Sequence, residues 1–439
     1  MEEQQHKRIR HGEQTPNSVD RLSDLPDSVL CHILSFLQTK ISVATSILAR
    51  RWRFLWCYVP NLHFHHANED CINSVFLLHK LQTINTFRFT DFRDENDRVE
   101  KCITFAIERN VKNIDIFLCM ANLPRCIYTC KTLVDLTINS IDLLPESGPV
   151  FLPLLKKLHL FYVHQNGYDT LLSGCPVLEE LLIHSYTDYA SFKISSPTIK
   201  RLLIDLHSAG GESSNESNFD YKRCYYKLEI NTPALVYLYL ADNSGQHIKC
   251  GPLNSLIEAN IEANIDIDGY IDDVVYARYL VEFIDRLRNA KFLKLNLSHY
   301  TKYIQSALCA RTMSFRNLVK LEFTSECLFS LKFLEDADNL EILILEEVHK
   351  QRAITGCMEP EQVPTCRLSR LRTTKLVGIK GNLYELEIIR YLLRNAKVME
   401  KMEIVYSRCL LRNQKNNMIE EISTFQRGSS VCEVRYLQG

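Results

Sequence analysis

A pattern of apolar-x-x-apolar-x-apolar recurs along most of this chain and limits its fold more than any single motif does. It begins at Ile84, Val111, Leu133, Leu155, Leu178, Ile199, Leu235, Leu256, Phe292, Leu318 and Leu340. Clear copies are LVDLTI, LKKLHL, LEELLI, IKRLLI, LVYLYL, LVKLEF and LEILIL. Six of the ten intervals span 21–23 residues, a regularity that a merely leucine-rich chain would not keep. Such a period implies units of strand plus return segment, each able to bury its apolar face only against its neighbours. LLSGCPVLEELLI (171–183) shows one junction, with a helix, a Gly-Cys-Pro stop and then a strand. The expected fold class is an α/β solenoid with a parallel sheet, in an α+β chain whose two ends differ from the middle.

Two intervals are 36 residues long and hold extra material. The first contains SAGGESSNESNFD (208–220), which reads as an acidic surface loop. The second contains Asp272 to Asn289, a helix by pattern, with Val275, Tyr279, Phe283 and Leu287 at every fourth position. In each strand, the residues flanking the second and third apolar positions point away from the core, by the two-residue period. Along that face LIEANIEANIDID (256–268) alternates without a break. It predicts a long strand with Glu258, Asn260, Glu262, Asn264, Asp266 and Asp268 facing out. Beside Tyr237 and Tyr239, the residues Glu258, Asn260 and Glu262 are candidates to receive a basic or amide-rich segment of a target protein. A solvated face with no partner is the alternative.

Residues 20–56 follow a different rule. Leu25-Pro26 breaks the chain and starts a helix, with Asp24 or Asp27 placed to cap it. Val29, Leu30, Ile33, Leu34 and Leu37 then recur at helical spacing as one wide apolar stripe. A second short helix is expected from Ile41 to Leu48, with Val43, Ile47 and Leu48 apolar. Arg50-Arg51-Trp52-Arg53-Phe54-Leu55-Trp56 follows and holds both tryptophans of the chain. About 40 residues is the lower limit for independent folding. The segment therefore either packs on the rest of the chain or offers its stripe to another protein.

Leu25-Pro26, Ile33, Leu37, Val43-Ala44, Arg50-Arg51-Trp52, Leu55-Trp56 and the ending Val59-Pro60-Asn61-Leu62 resemble the F-box of plant leucine-rich-repeat proteins. Ala49-Arg50-Arg51 departs from the usual Ser-Lys-Arg or Cys-Lys-Arg run, and Ile41-Ser42 replaces an acidic residue after Lys40. Neither change removes an apolar anchor. The middle of the chain resembles plant leucine-rich repeats, without the asparagine ladder of the extracellular type. Residues 358–435 resemble the FBD domain that closes many plant F-box proteins. That likeness rests on Met358-Glu359-Pro360-Glu361, Val363-Pro364, Cys366, Leu368 and Leu371, then a helix with Leu386, Ile389 and Leu393 on one face. A strand at 399–404 completes it, while Thr374-Lys375-Leu376 stands where the family carries a Trp-containing strand.

The resemblance implies a disordered tail (1–19), an all-helical F-box (20–62), leucine-rich repeats (80–350) and an FBD cap (358–435). It also implies the substrate-recognition subunit of a Skp–cullin–F-box ubiquitin ligase, itself non-catalytic. A Skp-type adaptor, and through it a cullin, would bind Leu25, Pro26, Val29, Leu30, Ile33, Leu34, Leu37, Val43, Leu48 and Trp52. The target protein is not identified by the sequence. The alternative is a leucine-rich-repeat scaffold with no ligase role.

Several classes are disfavoured. There are 52 basic and 53 acidic residues, so no overall field draws in nucleic acid or an anionic membrane. No apolar run approaches the roughly 18 residues that cross a bilayer. The Met-Glu-Glu-Gln-Gln start lacks the apolar stretch of a secretory signal. The 16 cysteines are scattered without a CxxC, which fits reduced thiols in the nucleus and/or cytoplasm. Lys7-Arg8-Ile9-Arg10 could serve nuclear import or be a chance cluster. No G-x-S-x-G, Walker loop, G-x-G-x-x-G or HExxH occurs, so no catalytic residue, metal or cofactor is expected. His63, His65, His66 and Cys71 lack the spacing of a metal site and read as a domain junction.

Overall fold

The computed structural model describes Leu22 and residues 24–438, apart from 94–95, 119–122, 140–147, 163–167, 188–190, 209–226, 243–246, 264–272, 298–312, 326–336 and 348–367. The predicted tail, the loop at 209–220 and the outward row from Asn264 to Asp268 fall outside the described residues.

Fifteen strands form one parallel sheet in the order β1-β2-β3-β4-β5-β6-β8-β10-β12-β13-β14-β15-β16-β17-β18. They run from β1 (Asn61–His65) and β2 (Thr86–Asp91) through β3 (Asn113–Leu118), β4 (Asp135–Asn139), β5 (Lys157–Phe161), β6 (Glu180–Thr187), β8 (Arg201–Ser208), β10 (Tyr237–Asp242) and β12 (Glu258–Ala263) to β13 (Phe292–Asn296). After β14 (Lys320–Ser325) and β15 (Ile342–Glu347), the sheet ends in β16 (Thr373–Ile379), β17 (Lys401–Tyr406) and β18 (Glu433–Gln438). Strands β1 to β15 of this sheet bury alternate residues, such as Leu136 and Ile138 or Leu158 and Leu160, and turn the others outward, whereas the edge strand β18 is open. The first apolar residue of each repeat closes the core from below: Ile84, Val111, Leu133, Leu155, Leu178, Ile199 and Leu235 are fully buried.

A turn precedes most of these anchors, in which the anchor N–H donates to the carbonyl three residues earlier. It recurs as Leu155 to Leu152, Leu178 to Cys175, Leu235 to Thr232, Leu256 to Leu253, Leu318 to Phe315 and Leu340 to Ala337. The same turn joins Ala290 to Leu287. Ala290, wholly buried, is therefore the anchor of the β13 repeat, and Phe292 is not. Phe292 pairs in register with Glu258 and stands on the outward face, 40% exposed. The pattern misplaced it because Phe292, Leu295 and Leu297 happen to repeat the apolar spacing two residues late. In the same way Ile257, expected inside, is exposed, since β12 starts at Glu258.

The returns vary. Helices α3 (Glu69–Leu78), α4 (Asn96–Glu108) and α5 (Tyr168–Ser173) serve the early repeats. Then β7 (Ser191–Ser195), β9 (Lys227–Asn231) and β11 (His247–Cys250) form a separate parallel sheet in the order β11-β9-β7, with α5 against β7. The expected helix appears as α6 (Asp273–Arg286) and packs against β11. Its buried residues are Ala277, Leu280, Val281, Phe283 and Ile284, a wider face than the one predicted. Among the described residues no helix is long and apolar enough to cross a membrane.

The C-terminal segment continues the main sheet instead of covering it with a separate fold. Thr374-Lys375-Leu376 lies in β16, paired in register with Leu343-Ile344-Leu345 of β15. Helix α7 (Leu383–Asn395) then buries Leu386, Ile389 and Leu393 as its pattern predicts. Its start is set by a reciprocal cap: Asn382 Oδ1 accepts the Glu385 N–H at 2.8 Å. The buried Glu385 carboxylate accepts three N–H groups, from Lys380, Gly381 and Asn382. Helix α8 (Arg412–Ser423) packs beside α7.

Candidate functional site

Two surfaces come forward, one on the N-terminal helices and one on the outward face of the sheet. The first is built from α1 (Asp27–Leu34), α2 (Thr39–Ala44), a 3-10 turn (Thr45–Ile47) and a longer 3-10 helix (Arg50–Tyr58). The predicted second helix thus starts two residues early and ends in a 3-10 turn. Neither Asp24 nor Asp27 caps α1 through its side chain. Arg51 holds the start of the helix instead, donating to Asp27 at 2.8 Å and to the Leu25 carbonyl at 2.5 Å.

The apolar stripe of α1 divides in two. Leu30 and Leu34 are buried with Trp52, Leu55 and Val59 in a small core, against which Leu25 and Leu37 pack. These three predicted contacts, Leu30, Leu34 and Trp52, are interior residues and present no side chain to a partner. The reason is geometric: the stripe is wide enough for one flank to close on the 3-10 helix while the other stays in solvent. Pro26, Val29, Ile33 and Leu48 are exposed. With them are residues the sequence reading did not assign as contacts, above all Phe36 (75% exposed), Ile41, Ile47 (88% exposed) and Phe54. Val29 and Ile33, four residues apart, share a face of α1, and Phe36 follows in the turn after it.

The module also covers the first edge of the sheet. Val43 packs on the large core, in which Trp56 and Cys57 are buried members. Thr39 Oγ1 accepts the His63 N–H of β1 at 2.7 Å, and Asn61 Nδ2 donates to the Ser35 carbonyl at 3.3 Å. One N–H of the edge strand is thereby taken up by a side chain, and α2 lies against that edge. His63 and His65 lie on β1, and His66 stacks toward Phe92. Among the described residues no group of three or more His, Cys, Asp or Glu is placed to hold a metal ion.

The second surface is the outward face of the sheet. Its charges largely neutralise one another in place. Arg88 pairs with Asp115, His159 meets Glu180 at 2.8 Å, Arg201 reaches the same carboxylate at 3.3 Å, and His184 meets Asp205 at 2.8 Å. The structure brings all five predicted target-binding residues together: Tyr237 pairs in register with Glu258 and Tyr239 with Asn260, and Glu262 follows two residues further along β12. Burial and the neighbouring Glu262 and Asp205 carboxylates push the Tyr239 hydroxyl up to about 12, with a hydrogen bond to Glu262 adding to the rise. It therefore stays protonated as a donor. Leu182 and Leu203 lie in register beside Tyr239 and extend an apolar strip across β6, β8 and β10.

Family models match three stretches of this chain. The F-box domain matches residues 22–64, the leucine-rich repeats described for FBD-associated F-box protein At5g56370 match 103–220, and FBD matches 359–404. Over 95% of the chain and 95% of its own length, the Arabidopsis thaliana F-box/LRR-repeat protein At4g14096 is 30% identical. The chain belongs to the F-box/FBD/LRR-repeat family. F-box/FBD/LRR-repeat protein At4g00160 of the same plant is 32% identical, over 87% of this chain and 85% of its own. F-box/FBD/LRR-repeat protein At2g26030 is 28% identical over 94% and 98%.

As an F-box/FBD/LRR-repeat protein it carries the domain that, in general, links proteins to ubiquitin ligases. The F-box match takes in all of α1, α2, the 3-10 helix and most of β1, so the first strand of the sheet falls inside it. That strand carries the spacing Val59, Leu62, Phe64, one repeat earlier than Ile84. It was legible as a repeat, but the resemblance had already absorbed it.

Proposed function

We propose that this chain is the target-recognition subunit of a Skp–cullin–F-box ubiquitin ligase, holding a Skp-type adaptor on its N-terminal helices and a target protein on the outward face of the sheet. The observation that carries this reading is the row Val29, Ile33, Phe36, Ile47 and Leu48, exposed on a module whose own core is already closed by Leu30, Leu34 and Trp52. A cluster of exposed large apolar side chains marks an interaction site. Moving each fully out of water contributes about 1.5–3 kcal/mol. Several together supply a tight interface.

The ligase mechanism asked of this chain is placement. Val43, Trp56 and the Thr39–His63 hydrogen bond fasten the adaptor-binding helices to the sheet. A target held near Tyr237, Tyr239, Glu258, Asn260 and Glu262 would then keep a fixed position relative to the adaptor. Such fixing raises the effective concentration of a target lysine at the transfer site, while the bond-making belongs to partner subunits.

A plain repeat scaffold would also need its first edge capped, and the contacts of Val43 and Trp56 fit that role equally. It would have no use for the exposed row. Reconstitution separates the two: the full chain mixed with a Skp-type adaptor and cullin should elute as one ternary complex. A chain that elutes alone contradicts the ligase reading. Removing residues 1–62 would not discriminate, because Trp56, Cys57 and Leu62 belong to the main core.

A further inference from the structure

The register that moves Phe292 out of the core also gives it neighbours. Tyr237, Glu258 and Phe292 occupy equivalent positions on β10, β12 and β13, three adjacent parallel strands. Strands lie about 4.8 Å apart, so the Cα atoms of Tyr237 and Phe292 stand on either side of that of Glu258 with about 10 Å between them. Phe292 is 40% exposed although its repeat buries Ala290, Leu293 and Leu295 normally. Glu258 is exposed and has no ion-pair or hydrogen-bond partner among the described residues. Of the nearby cations, Arg201 is paired with Glu180 and Lys320 with Glu322 at 2.6 Å, while Lys294 stands opposite Asn260, two residues along β13 from Phe292.

The same face already contains a filled version of this arrangement. Arg201 lies over the Tyr237 ring, 4.3 Å from its centroid, while its guanidinium reaches the Glu180 carboxylate. Carboxylate, cation and aromatic ring are there supplied by one chain. At Glu258 the carboxylate and the rings are present and the cation is missing.

We propose that Tyr237, Glu258 and Phe292 form a recognition site for one cationic side chain, arginine or lysine, of an extended segment of the target. This deepens the target-binding reading above and rests on it. The carboxylate supplies charge, and the rings supply cation–π contact and exclude water from the pair. The carboxylates around it are engaged within the chain, Glu180 by Arg201 and His159, Asp205 by His184 and Glu262 by Asn260, which leaves Glu258 as the one of these four without a partner among the described residues. Leu182, Leu203 and Tyr239 would take an apolar side chain of the same segment.

The test uses the full chain with its adaptor and four pools of nine-residue peptides with randomised flanks. Their fixed central residue is arginine, lysine, citrulline or glutamate. Citrulline keeps the shape of arginine without its charge. The arginine and lysine pools should be retained about tenfold better than the other two. Glu258→Gln should erase the preference, Glu258→Lys should turn it toward the glutamate pool, and Phe292→Ala should weaken retention without turning it. No preference in the unsubstituted chain, or one that survives Glu258→Lys, overturns the proposal. Adaptor retention is read in the same samples. A chain that keeps its adaptor and does not discriminate loses only this proposal, whereas one that discriminates without binding adaptor loses only the ligase reading.

Discussion

Trp52 and Trp56 stand one turn apart on the same 3-10 helix and enter different cores. Trp52 is buried with Leu30, Leu34, Leu55 and Val59 in the N-terminal module, and Trp56 is buried in the continuous core of the repeats. The helix is thus a shared wall. It fixes the N-terminal helices to the sheet without a flexible linker.

Replacing either tryptophan with alanine should cost about 3–5 kcal/mol, but in different places. Trp52→Ala should loosen residues 27–58 while the repeats keep their protection in hydrogen exchange. Trp56→Ala should lower the protection of β1, α3 and β2 as well.

Leu34 offers a contrast with its neighbour on the helix. Leu34→Ala opens a cavity in the small core and should destabilise the module by about 2–5 kcal/mol. Ile33 is 37% exposed, so Ile33→Ala should cost clearly less than Leu34→Ala, about 1 kcal/mol or below. Chemical denaturation of both variants checks this.

His79 makes the junction sensitive to acid. Burial, with Arg109 adding to it, holds its imidazole below the ordinary value of 6.5, against a hydrogen bond to the Val59 carbonyl that acts the other way. Nδ1 is buried with no partner, so protonation there adds an unsatisfied N–H. The native state therefore prefers neutral His79, and its contribution is complete above 6.5 and declines as pH falls below that value. Thermal unfolding should show a stability loss between pH 7 and about pH 5 that is smaller in His79→Gln.

At the start of α7, Asn382→Ala should cost about 1 kcal/mol, the worth of one side-chain cap. Glu385→Ala should cost more, about 1–3 kcal/mol for each of the three N–H groups left without an acceptor. Gly381→Ala is destabilising for a separate reason: Gly381 has φ +80°, and a Cβ there would approach the Met418 sulfur at 3.0 Å. Denaturation midpoints rank the three.

The solenoid was legible because its period is written in the strands themselves, and the anchors from Ile84 to Leu256 needed no correction. The β13 repeat was misread because Phe292 offers a better apolar match than the true anchor, Ala290. Only the turn that joins Ala290 to Leu287 separates them, and a turn of that kind leaves a weak trace in composition. The second sheet was missed because SFKIS, KLEIN and HIKC are too short to stand out from the returns around them. The N-terminal stripe was read correctly as apolar. Which flank of it faces solvent depends on the fold of Trp52 and Leu55 back onto α1, and helical spacing alone does not contain that information.

The most direct measurement is calorimetric titration of a Skp-type adaptor into the full chain and into Ile33→Asp and Leu48→Asp variants. The unsubstituted chain should bind and each variant should lose at least about a hundredfold, equivalent to about 2.7 kcal/mol, with unfolding curves unchanged. Unaltered affinity in both variants, or no binding by the unsubstituted chain, would contradict an adaptor-binding role for this face.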